Sequence, residues 1–196
     1  MGYTEIMDVR PAVFLDRDGI MNRLVVRDGI RVSPRVFEDF HLLPGVAEAV
    51  KTLKQAGFLA VVVTNQPDIA RGFLDAAELD RMHEMLRQAV AVDAIYVCCH
   101  DDADGCDCRK PKPGLLLRAA EEWRINLNNS FVLGDSWKDI MAGRAAACTT
   151  LLVKIEGQVY SGPAPDFAAS DLSEAVRIVL SRAGSRAFPS AASAGP

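Results

Sequence analysis

Two aspartates near the start of the chain are spaced so that they could bind a metal ion and carry a reaction. Asp16 and Asp18 follow the apolar run Ala12–Leu15 and precede Gly19. Carboxylates two positions apart, on a turn that leaves a strand, can face one point and bind Mg²⁺ there. One can then act as a nucleophile and the other as a general acid and base. A solvated acidic turn can have the same sequence, so other segments must decide between the two interpretations.

Two polar segments elsewhere suit the binding of a phosphate group. Thr64 and Asn65 end the second long apolar run, and their hydroxyl and amide groups can contact phosphate oxygens. Arg109 and Lys110 begin a proline-rich, positively charged loop, and Lys110 could neutralise charge on a phosphoryl group in transfer. Taken alone, either segment could be an ordinary solvated turn.

A further acidic position follows another apolar run. Val132 and Leu133 lead into Gly134 and Asp135, so Asp135 could complete a magnesium site with the first two aspartates. We expect Asp139, four residues later, to brace this loop or a metal-bound water. A lone Gly-Asp pair is usually a helix N-cap. The metal-site interpretation therefore depends on the order of these segments and on their shared position after strands.

Four of the five cysteines lie within eleven residues and suggest a second metal site. Cys98, His100, Cys106 and Cys108 make a Cys₃His set, which is typical of structural zinc with tetrahedral coordination. If the preceding strand continues, Cys99 points the other way, so we exclude it from the set. A redox dithiol and incidental cysteines are the alternatives. A catalytic zinc is disfavoured because four protein ligands leave no open position.

The composition indicates one globular α/β domain. The chain has 196 residues and 49% hydrophobic residues, which is enough for a substantial core. A net charge of −4 argues against a general nucleic-acid binder, which needs a basic surface. No apolar run approaches the ~18 residues of a membrane helix, and the N-terminus lacks a secretory signal. We expect a cytoplasmic monomer that binds neither nucleic acid nor membrane, and clustered metal-binding thiols agree with a reducing compartment.

Alternating strands and helices are predicted to position these residues. Short apolar runs predict strands at Ala12–Leu15, Leu59–Thr64, Ala94–Cys98, Ser130–Leu133 and Thr149–Val153. Apolar stripes of helical period predict helices containing Val46, Ala49, Val50 and Leu53; Leu79, Met82, Leu86 and Ala89; Leu116, Leu117, Ala120 and Trp123; Ile140, Met141 and Ala145; and Leu172, Ala175, Val176 and Val179. This alternation predicts a doubly wound, Rossmann-like parallel sheet with helices on both faces, whose ligands bind at the carboxyl ends of the strands.

We predict a single domain over residues 1–182 with two elaborations. Residues 22–43 are expected to form a β-hairpin flap over the site, because an apolar run there is followed by the turn residues Asp28 and Gly29. Residues 98–108 are the zinc loop. The Ala/Ser/Gly/Pro-rich residues 183–196 are expected to be a disordered tail.

The order of these motifs resembles the haloacid dehalogenase superfamily. The resemblance covers roughly residues 11–153. Within the superfamily, the chain is similar to the histidinol-phosphatase-like subfamily, which lacks a large cap domain. It rests, in chain order, on Val13-Phe14-Leu15-Asp16-Arg17-Asp18-Gly19, Val63-Thr64-Asn65-Gln66, Ile69-Ala70-Arg71-Gly72, the zinc set running into Cys108-Arg109-Lys110-Pro111, and Gly134-Asp135.

The resemblance implies magnesium-dependent hydrolysis of a phosphate monoester. It implies that Asp16 becomes an aspartyl-phosphate and that Asp18 protonates the leaving oxygen, which requires a raised pKa for Asp18. Thr64 and Lys110 would stabilise the phosphoryl group, and Arg109 would aid substrate recognition. The implied magnesium ligands are Asp16, the backbone carbonyl of Asp18, and Asp135; the implied zinc ligands are Cys98, His100, Cys106 and Cys108.

The resemblance leaves the substrate open between two branches. The segment 69–72 favours the branch that removes the 7-phosphate of D-glycero-D-manno-heptose 1,7-bisphosphate. Histidinol phosphate or another small phosphomonoester is the alternative, and a non-catalytic zinc-containing module is a third hypothesis. Ser136 stands where the heptose branch usually has a basic residue, which puts one substrate contact in doubt. Arg23, Arg31 and Arg35 in the flap could contact a second phosphate or could be solvated.

Overall fold

A six-stranded parallel sheet forms the centre of the computed structural model, which describes residues 9–184. Its strands are β1 (Ala12–Leu15), β4 (Leu59–Asn65), β5 (Ala94–Cys98), β6 (Phe131–Gly134), β7 (Thr149–Val153) and β8 (Phe167–Ala169). Two further strands, β2 (Val25–Arg27) and β3 (Ile30–Val32), form a separate hairpin. The sheet order is β5-β4-β1-β6-β7-β8, with every neighbouring pair parallel. The predicted doubly wound sheet is confirmed.

Helices cover both faces of this sheet. They are α1 (Val46–Gln55), α2 (Ala76–Val90), α3 (Gly114–Trp123), α4 (Trp137–Ala145) and α5 (Leu172–Gly184). Apolar residues of α1, α2 and α5 form one core with one sheet face, and those of α3 and α4 form a second core with the other face. None of the helices described is long and apolar enough to cross a membrane.

The continuous apolar sequence of β1 follows from its position between the two cores. Val13 and Leu15 belong to the first core, whereas Ala12 and Phe14 belong to the second. All four side chains are fully buried. A strand covered on both faces needs apolar residues at every position, which is why these runs could be recognised without alternation.

The strand order places the carboxyl ends of three strands around one crevice. From β1 the chain moves outward through β4 to β5, and it then crosses to β6 on the opposite side of β1. This reversal is the topological switch point at which open α/β sheets bind ligands. Asp16 follows β1, Asp135 follows β6, and Asn65 ends β4, so all three lie at this edge.

Within the flap predicted at residues 22–43, a hairpin occupies residues 25–32, and the remainder contains a short 3₁₀ helix at Phe37–Asp39. β2 and β3 pair antiparallel, and the two residues between them, Asp28 and Gly29, have φ angles of 50° and 73°. Positive φ at both central positions characterises the tight turn that matches the twist of a two-stranded hairpin. The hairpin leaves Val26 and Ile30 exposed on its surface.

Two predicted helix faces were shifted by about one residue. In α2, Val90 is buried in place of Ala89, and α3 buries Leu115 and Ala119 while Leu117 and Trp123 are exposed. Several stripes in an apolar helix satisfy the same period, and the surface that the sheet presents selects among them.

The buried face of α4 was predicted wrongly for a different reason: a glycine forms the contact between this helix and the sheet. Met141 and Ala145 are exposed, while Ala142 and Gly143 are buried. A Cβ atom at Gly143 would lie 2.8 Å from the Thr150 side chain, so this glycine lets the helix approach the sheet closely. Strand β8 was also missed, and α5 extends to Gly184, two residues into the predicted tail. Residues 185–196 of that tail lie outside the described residues.

Candidate active site

A cavity of about 750 Å³ opens at the carboxyl edge of the sheet. Its wall is formed by the loops after β1, β6 and β7, the end of β4, the hairpin, the loop before α3 and the start of α4. The lining residues with polar side chains are Asp16, Asp18, Arg31, Ser33, Thr64, Asn65, Arg109, Lys110, Asp135, Ser136, Lys138 and Gln158. The seven residues predicted from the sequence to hold phosphate and magnesium are all among them.

Lys110 is the central cation of the cavity floor. Its ammonium group donates to Asp16 Oδ1 at 2.8 Å, to Asp139 Oδ1 at 2.6 Å and to the Val63 carbonyl at 2.9 Å. These contacts use all three of its donors, so the position of the charge is closely fixed. Burial would lower the pKa of Lys110, but Asp139 and Asp16 raise it well above its usual value. Lys110 therefore carries a permanent positive charge beside Asp16.

Three carboxylates crowd around this lysine. Oxygens of Asp16, Asp135 and Asp139 all lie within 4.8 Å of one another. Burial raises the pKa of Asp16 to about 8 against the opposing charge of Lys110, and the neighbouring carboxylates add to the rise. Burial and the Asp139 carboxylate likewise raise the pKa of Asp135 to about 7.

This surplus of negative charge fits a magnesium ion held by Asp16 and Asp135. A divalent cation binds oxygen ligands of this kind and would compensate for their mutual repulsion. Gly19 keeps the turn close to the ligands, because a Cβ atom there would lie 2.9 Å from Asp135 Oδ2. Its φ of 88° is also one that other residues rarely adopt.

Asp139 lies behind the other two carboxylates and connects them to α4. Its second oxygen accepts hydrogen bonds from the Ser136 backbone N–H at 3.1 Å and from the Ser136 hydroxyl at 2.5 Å. Ser136 thereby caps α4, and Asp139 is 1% exposed. The expectation that Asp139 braces the loop agrees with these contacts. Gly134 is required here, since a Cβ atom would lie 2.2 Å from Asp139 Cγ.

Asp18 lies in a different environment and contradicts the raised pKa that its acid role led us to expect. Its carboxylate accepts hydrogen bonds from Arg17, from Asn22 at 2.9 Å, from Gln66 at 2.7 Å and from Ser33 of the hairpin at 3.0 Å. Burial alone would raise the pKa of Asp18, but the Arg17 charge and these donors lower it below the ordinary value. The substrate-free site therefore keeps Asp18 ionised.

Arg17 was not identified from the sequence, although it is a fully buried charge next to Asp18. Its Nη2 atom lies 3.0 Å from Asp18 Oδ2, and its Nη1 atom donates to His83 Nε2 at 3.1 Å. Burial and the nearby arginines lower the pKa of His83 to about 3, so the imidazole is neutral and accepts this bond. The Phe40 ring lies 5.5 Å from the guanidinium carbon. No local sequence signal connects Arg17 with partners on distant elements.

Thr64 and Asn65 lie at the end of β4, as expected. Thr64 is 1% exposed and lines the cavity, and its hydroxyl accepts from Gln66 at 2.9 Å. The Asn65 amide donates to the Lys110 carbonyl at 3.0 Å and accepts from the Lys110 N–H at 3.1 Å. Asn65, predicted to bind substrate, therefore also holds the backbone of the lysine in place.

Arg109 connects the cavity to the zinc loop. Its Nε atom donates to Asp102 Oδ1 at 2.7 Å, and its side chain lines the cavity. The neighbouring Asp101 forms a two-point contact with Arg71, at 2.7 Å for each pair of atoms. Two arginines thus attach this acidic loop to the rim of the site.

The four predicted zinc ligands come together in space. Cys108 Sγ lies 3.2 Å from Cys98 Sγ and 3.5 Å from Cys106 Sγ, and 3.3 Å from His100 Nδ1. A zinc ion with Zn–S bonds of about 2.3 Å separates its sulfur ligands by about 3.8 Å, so this tetrad fits a structural zinc ion. Cys99 packs against the core on the other face of the sheet and is not part of the tetrad.

The three flap arginines have different surroundings. Arg31 lines the cavity, and its Nη1 atom donates to the Glu156 carbonyl at 2.7 Å. Arg35 pairs with Asp68 at 2.7 Å, outside the cavity, and Arg23 lines a separate, mostly apolar pocket. Three polar cavity residues, Ser33, Lys138 and Gln158, were not predicted, because nothing in their neighbourhood marks them as different from surface residues.

Comparison with known proteins gives a consistent result. The model of the haloacid dehalogenase-like hydrolase family matches residues 13–147. A Pseudomonas aeruginosa protein named D-glycero-beta-D-manno-heptose-1,7-bisphosphate 7-phosphatase is 42% identical over 150 residues, which are 74% of this chain and 82% of that protein. A Thermosynechococcus vestitus protein, named D-glycero-D-manno-heptose-1,7-bisphosphate 7-phosphatase, is 32% identical over 200 residues and covers 90% of this chain and 99% of its own length.

A solved structure extends the similarity to three dimensions. The D,D-heptose 1,7-bisphosphate phosphatase of B. bronchiseptica, complexed with magnesium and phosphate, has a TM-score of 0.75 to this chain and 31% sequence identity. The match covers 88% of this chain and 99% of that structure.

Proposed function

The chain belongs to the haloacid dehalogenase-like hydrolase family, and we propose that it is a magnesium-dependent phosphatase that removes the 7-phosphate of D-glycero-D-manno-heptose 1,7-bisphosphate. The observation that carries the proposal is the meeting of Asp16, Asp135 and Lys110 on one cavity floor. The names of the P. aeruginosa and T. vestitus relatives support the heptose substrate.

In this proposal Asp16 is the nucleophile. Its carboxylate oxygen attacks phosphorus, the bond between phosphorus and the C7 oxygen breaks, and the phosphoryl group becomes attached to Asp16. A magnesium ion held by Asp16, Asp135 and the Asp18 carbonyl would neutralise charge on the phosphoryl oxygens. Lys110 and the Thr64 hydroxyl stabilise the same oxygens from the protein side, and Asn65 and Arg109 orient the substrate.

Asp18 handles the proton in both half-reactions. It donates a proton to the departing C7 oxygen and later accepts one from the water that cleaves the aspartyl-phosphate. Because Asp18 is held ionised before substrate arrives, it must gain its proton in the complex. An anionic phosphate beside it favours this by raising the pKa of the carboxyl group. The donors from Arg17 and Gln66 meanwhile keep the side chain in position.

Substitution of Asp16 tests the proposal. We expect the purified protein to convert the heptose 1,7-bisphosphate to the 1-phosphate with Mg²⁺ present, followed by ³¹P NMR. Chelation should abolish this reaction, and Asp16→Asn should lower kcat by at least about 10³-fold, since the attacking carboxylate is lost. An unchanged rate in this variant would contradict the nucleophile. A higher kcat/KM for histidinol phosphate than for the heptose bisphosphate would contradict the substrate.

We extend the proposal to a cytoplasmic monomer that uses zinc only for structure. Thiolate ligands persist in a reducing compartment, and the four-ligand tetrad has no position left for substrate. Size-exclusion chromatography with light scattering should give a single species of monomer mass at the concentrations used for assay. A stable dimer would contradict the monomer without affecting the reaction.

A further inference from the structure

Arg17 is a buried cation that takes no direct part in the proposed reaction. Its side chain is fully buried, although it stands between the two reacting aspartates, Asp16 and Asp18. Burying an arginine costs free energy unless its donors are paired. Its partners are the Asp18 carboxylate, the His83 imidazole and the Phe40 ring. A charge buried at this position therefore needs a physical reason.

The Arg17 guanidinium holds the Asp18 carboxylate at both of its oxygens. Nη2 donates to Oδ1 and to Oδ2, each at 3.0 Å, and Nε donates to Oδ1 at 3.3 Å. A planar fork against a planar carboxylate fixes the rotation of the carboxylate as well as its position. The amides of Asn22 and Gln66 and the hydroxyl of Ser33 each donate to a single oxygen. Of these four partners, Arg17 alone therefore fixes the plane of the carboxylate.

His83 fixes the remaining nitrogen of the same guanidinium. It is one of the buried residues of α2, 66 positions along the chain, and its Nε2 atom accepts from Arg17 Nη1 at 3.1 Å. Because burial keeps the pKa of His83 low, the ring is neutral and accepts this bond without adding a second charge. His83 does not line the cavity, so its contact with Arg17 is what connects α2 to the site.

Asp18 needs this restraint because the acidic cluster lies beside it. Oxygens of Asp16, Asp135 and Asp139 lie within 4.8 Å of one another, and the Asp18 carboxylate is outside this group. A free carboxylate next to a divalent cation tends to become one of its ligands. A carboxylate bound to the metal could not deliver a proton to the leaving oxygen. Arg17 supplies a competing positive charge that keeps Asp18 out of the metal site.

We propose that His83 and Arg17 are positioning residues for the general acid: His83 fixes the guanidinium, and the guanidinium holds the Asp18 carboxylate where it can protonate the leaving oxygen. The inference rests on the proposed function, and it goes further by giving α2, an element that does not line the cavity, a part in the reaction. The alternative is that the pair only stabilises the fold. The two roles differ in how a loss of the pair depends on the leaving group.

The test compares an alkyl ester with an aryl ester. The sugar alkoxide leaves poorly and needs the proton of Asp18, whereas 4-nitrophenolate is stable enough to leave without one. The ratio kcat/KM reports the steps up to this departure, so slower hydrolysis of the aspartyl-phosphate does not affect it. Arg17→Gln should lower kcat/KM about 10²-fold for the heptose 1,7-bisphosphate and less than about threefold for 4-nitrophenyl phosphate. Asp18→Asn should show the same dependence, with a larger loss on the sugar.

Two variants of His83 test the pair without removing the buried charge. His83→Leu removes the acceptor and should show the same leaving-group dependence, with a loss of about tenfold on the heptose bisphosphate. In His83→Gln the amide oxygen can accept from Arg17, so kcat/KM should return to within about threefold of wild type. Lys54→Gln controls for a lost ion pair, because Lys54 pairs with Asp93 at 2.8 Å and neither residue lines the cavity. It should leave kcat/KM for both esters unchanged.

The outcomes separate this inference from the proposed function. Equal losses on both esters in Arg17→Gln and His83→Leu, or no loss in either variant, would overturn the positioning role while the phosphatase activity of wild type still stands. A loss in His83→Gln as large as that in His83→Leu would also overturn it, since the hydrogen bond would not be the cause. A wild type that hydrolyses neither ester with Mg²⁺ present would contradict the proposed function and the inference together.

Discussion

The acidic cluster (Asp16, Asp135 and Asp139) and the Cys₃His cluster are supported in opposite ways. Asp16 and Asp135 directly follow β1 and β6, two adjacent strands whose residues are all buried. The cysteines and histidine extend from the end of β5 into a loop in which Asp102, Ala103, Asp104, Gly105 and Asp107 are exposed. One cluster is positioned by the hydrophobic core, and the other has almost no core of its own.

The difference concerns what each metal contributes. The core holds the acidic cluster together even though its charges repel, and the repulsion appears as the raised pKa values of Asp16 and Asp135. A cation there relieves an electrostatic strain without building the fold. In the zinc loop, the metal replaces a missing core, since structural zinc can contribute about 10 kcal/mol or more to folding. Removing the first metal should affect chemistry, and removing the second should affect structure.

Asp135→Asn should give the largest effect on activity. We expect kcat/KM to fall about 10³-fold, because a magnesium ligand is lost. The metal-free variant should nevertheless be more stable than wild type near pH 8, with a melting temperature about 3 °C higher, since one repelling charge is gone. Calorimetry with chelator checks this. A melting temperature below that of wild type would show that repulsion does not strain the acidic cluster.

Cys106→Ser should lower stability strongly and activity only moderately, the reverse of Asp135→Asn. We expect zinc content to fall well below one ion per chain, the melting temperature to drop by at least about 5 °C, and activity to fall about tenfold as the backbone of Arg109 and Lys110 loosens. Cys99→Ser in the same segment is the control, because Cys99 lies on the other face of the sheet and should keep its zinc. Full zinc content in Cys106→Ser would contradict the ligand set.

Protons should compete with magnesium at the acidic cluster. In the folded protein, burial and neighbouring carboxylates raise the pKa values of Asp16 and Asp135 to about 8 and about 7, against an ordinary value of 3.8 for aspartate. The folded state therefore binds more protons between about pH 4 and pH 8, and these two groups make the metal-free protein less stable as the pH rises through that window.

Magnesium binding should reverse this loss, and more so at high pH. At a fixed, saturating Mg²⁺ concentration we expect a melting-temperature increase of about 5 °C near pH 8 and less than about half of that near pH 6. Asp135→Asn should show little increase at either pH. An increase that does not depend on pH would place the bound ion elsewhere.

Arg71→Gln should give the smallest effect. Arg71 makes a two-point contact with Asp101 of the zinc loop, but its side chain is 38% exposed. An exposed pair of this kind contributes about 1 kcal/mol or less, so activity should stay within about twofold. Steady-state kinetics and thermal unfolding check this. A loss comparable to that of Cys106→Ser would mean that the arginine, and not the zinc, positions the loop.

The sequence allowed the fold and most of the candidate site to be predicted for a simple reason. Asp16, Thr64 and Asp135 each follow a continuous apolar run, and the carboxyl ends of neighbouring parallel strands meet at one edge. The Cys₃His set was recognisable because its ligands lie within one short loop. Helix faces were less predictable: the stripe through Leu117 and the one through Leu115 have the same period, and only packing against the sheet distinguishes them.

By itself, then, the sequence determined which chemical groups reach the site, because strand ends and short spacings are local properties of the chain. Only the tertiary structure decided the charge state of those groups and which of them are free. Asp18 is kept ionised by hydrogen-bond donors that include Gln66, 48 positions away. The Arg17 guanidinium donates to His83, 66 positions away. Likewise, Arg31 lines the cavity with no ion-pair partner among residues 9–184, whereas Arg35, four residues on, is paired with Asp68. A pKa depends on burial and on charges a few ångströms away, and that environment is assembled from distant parts of the chain.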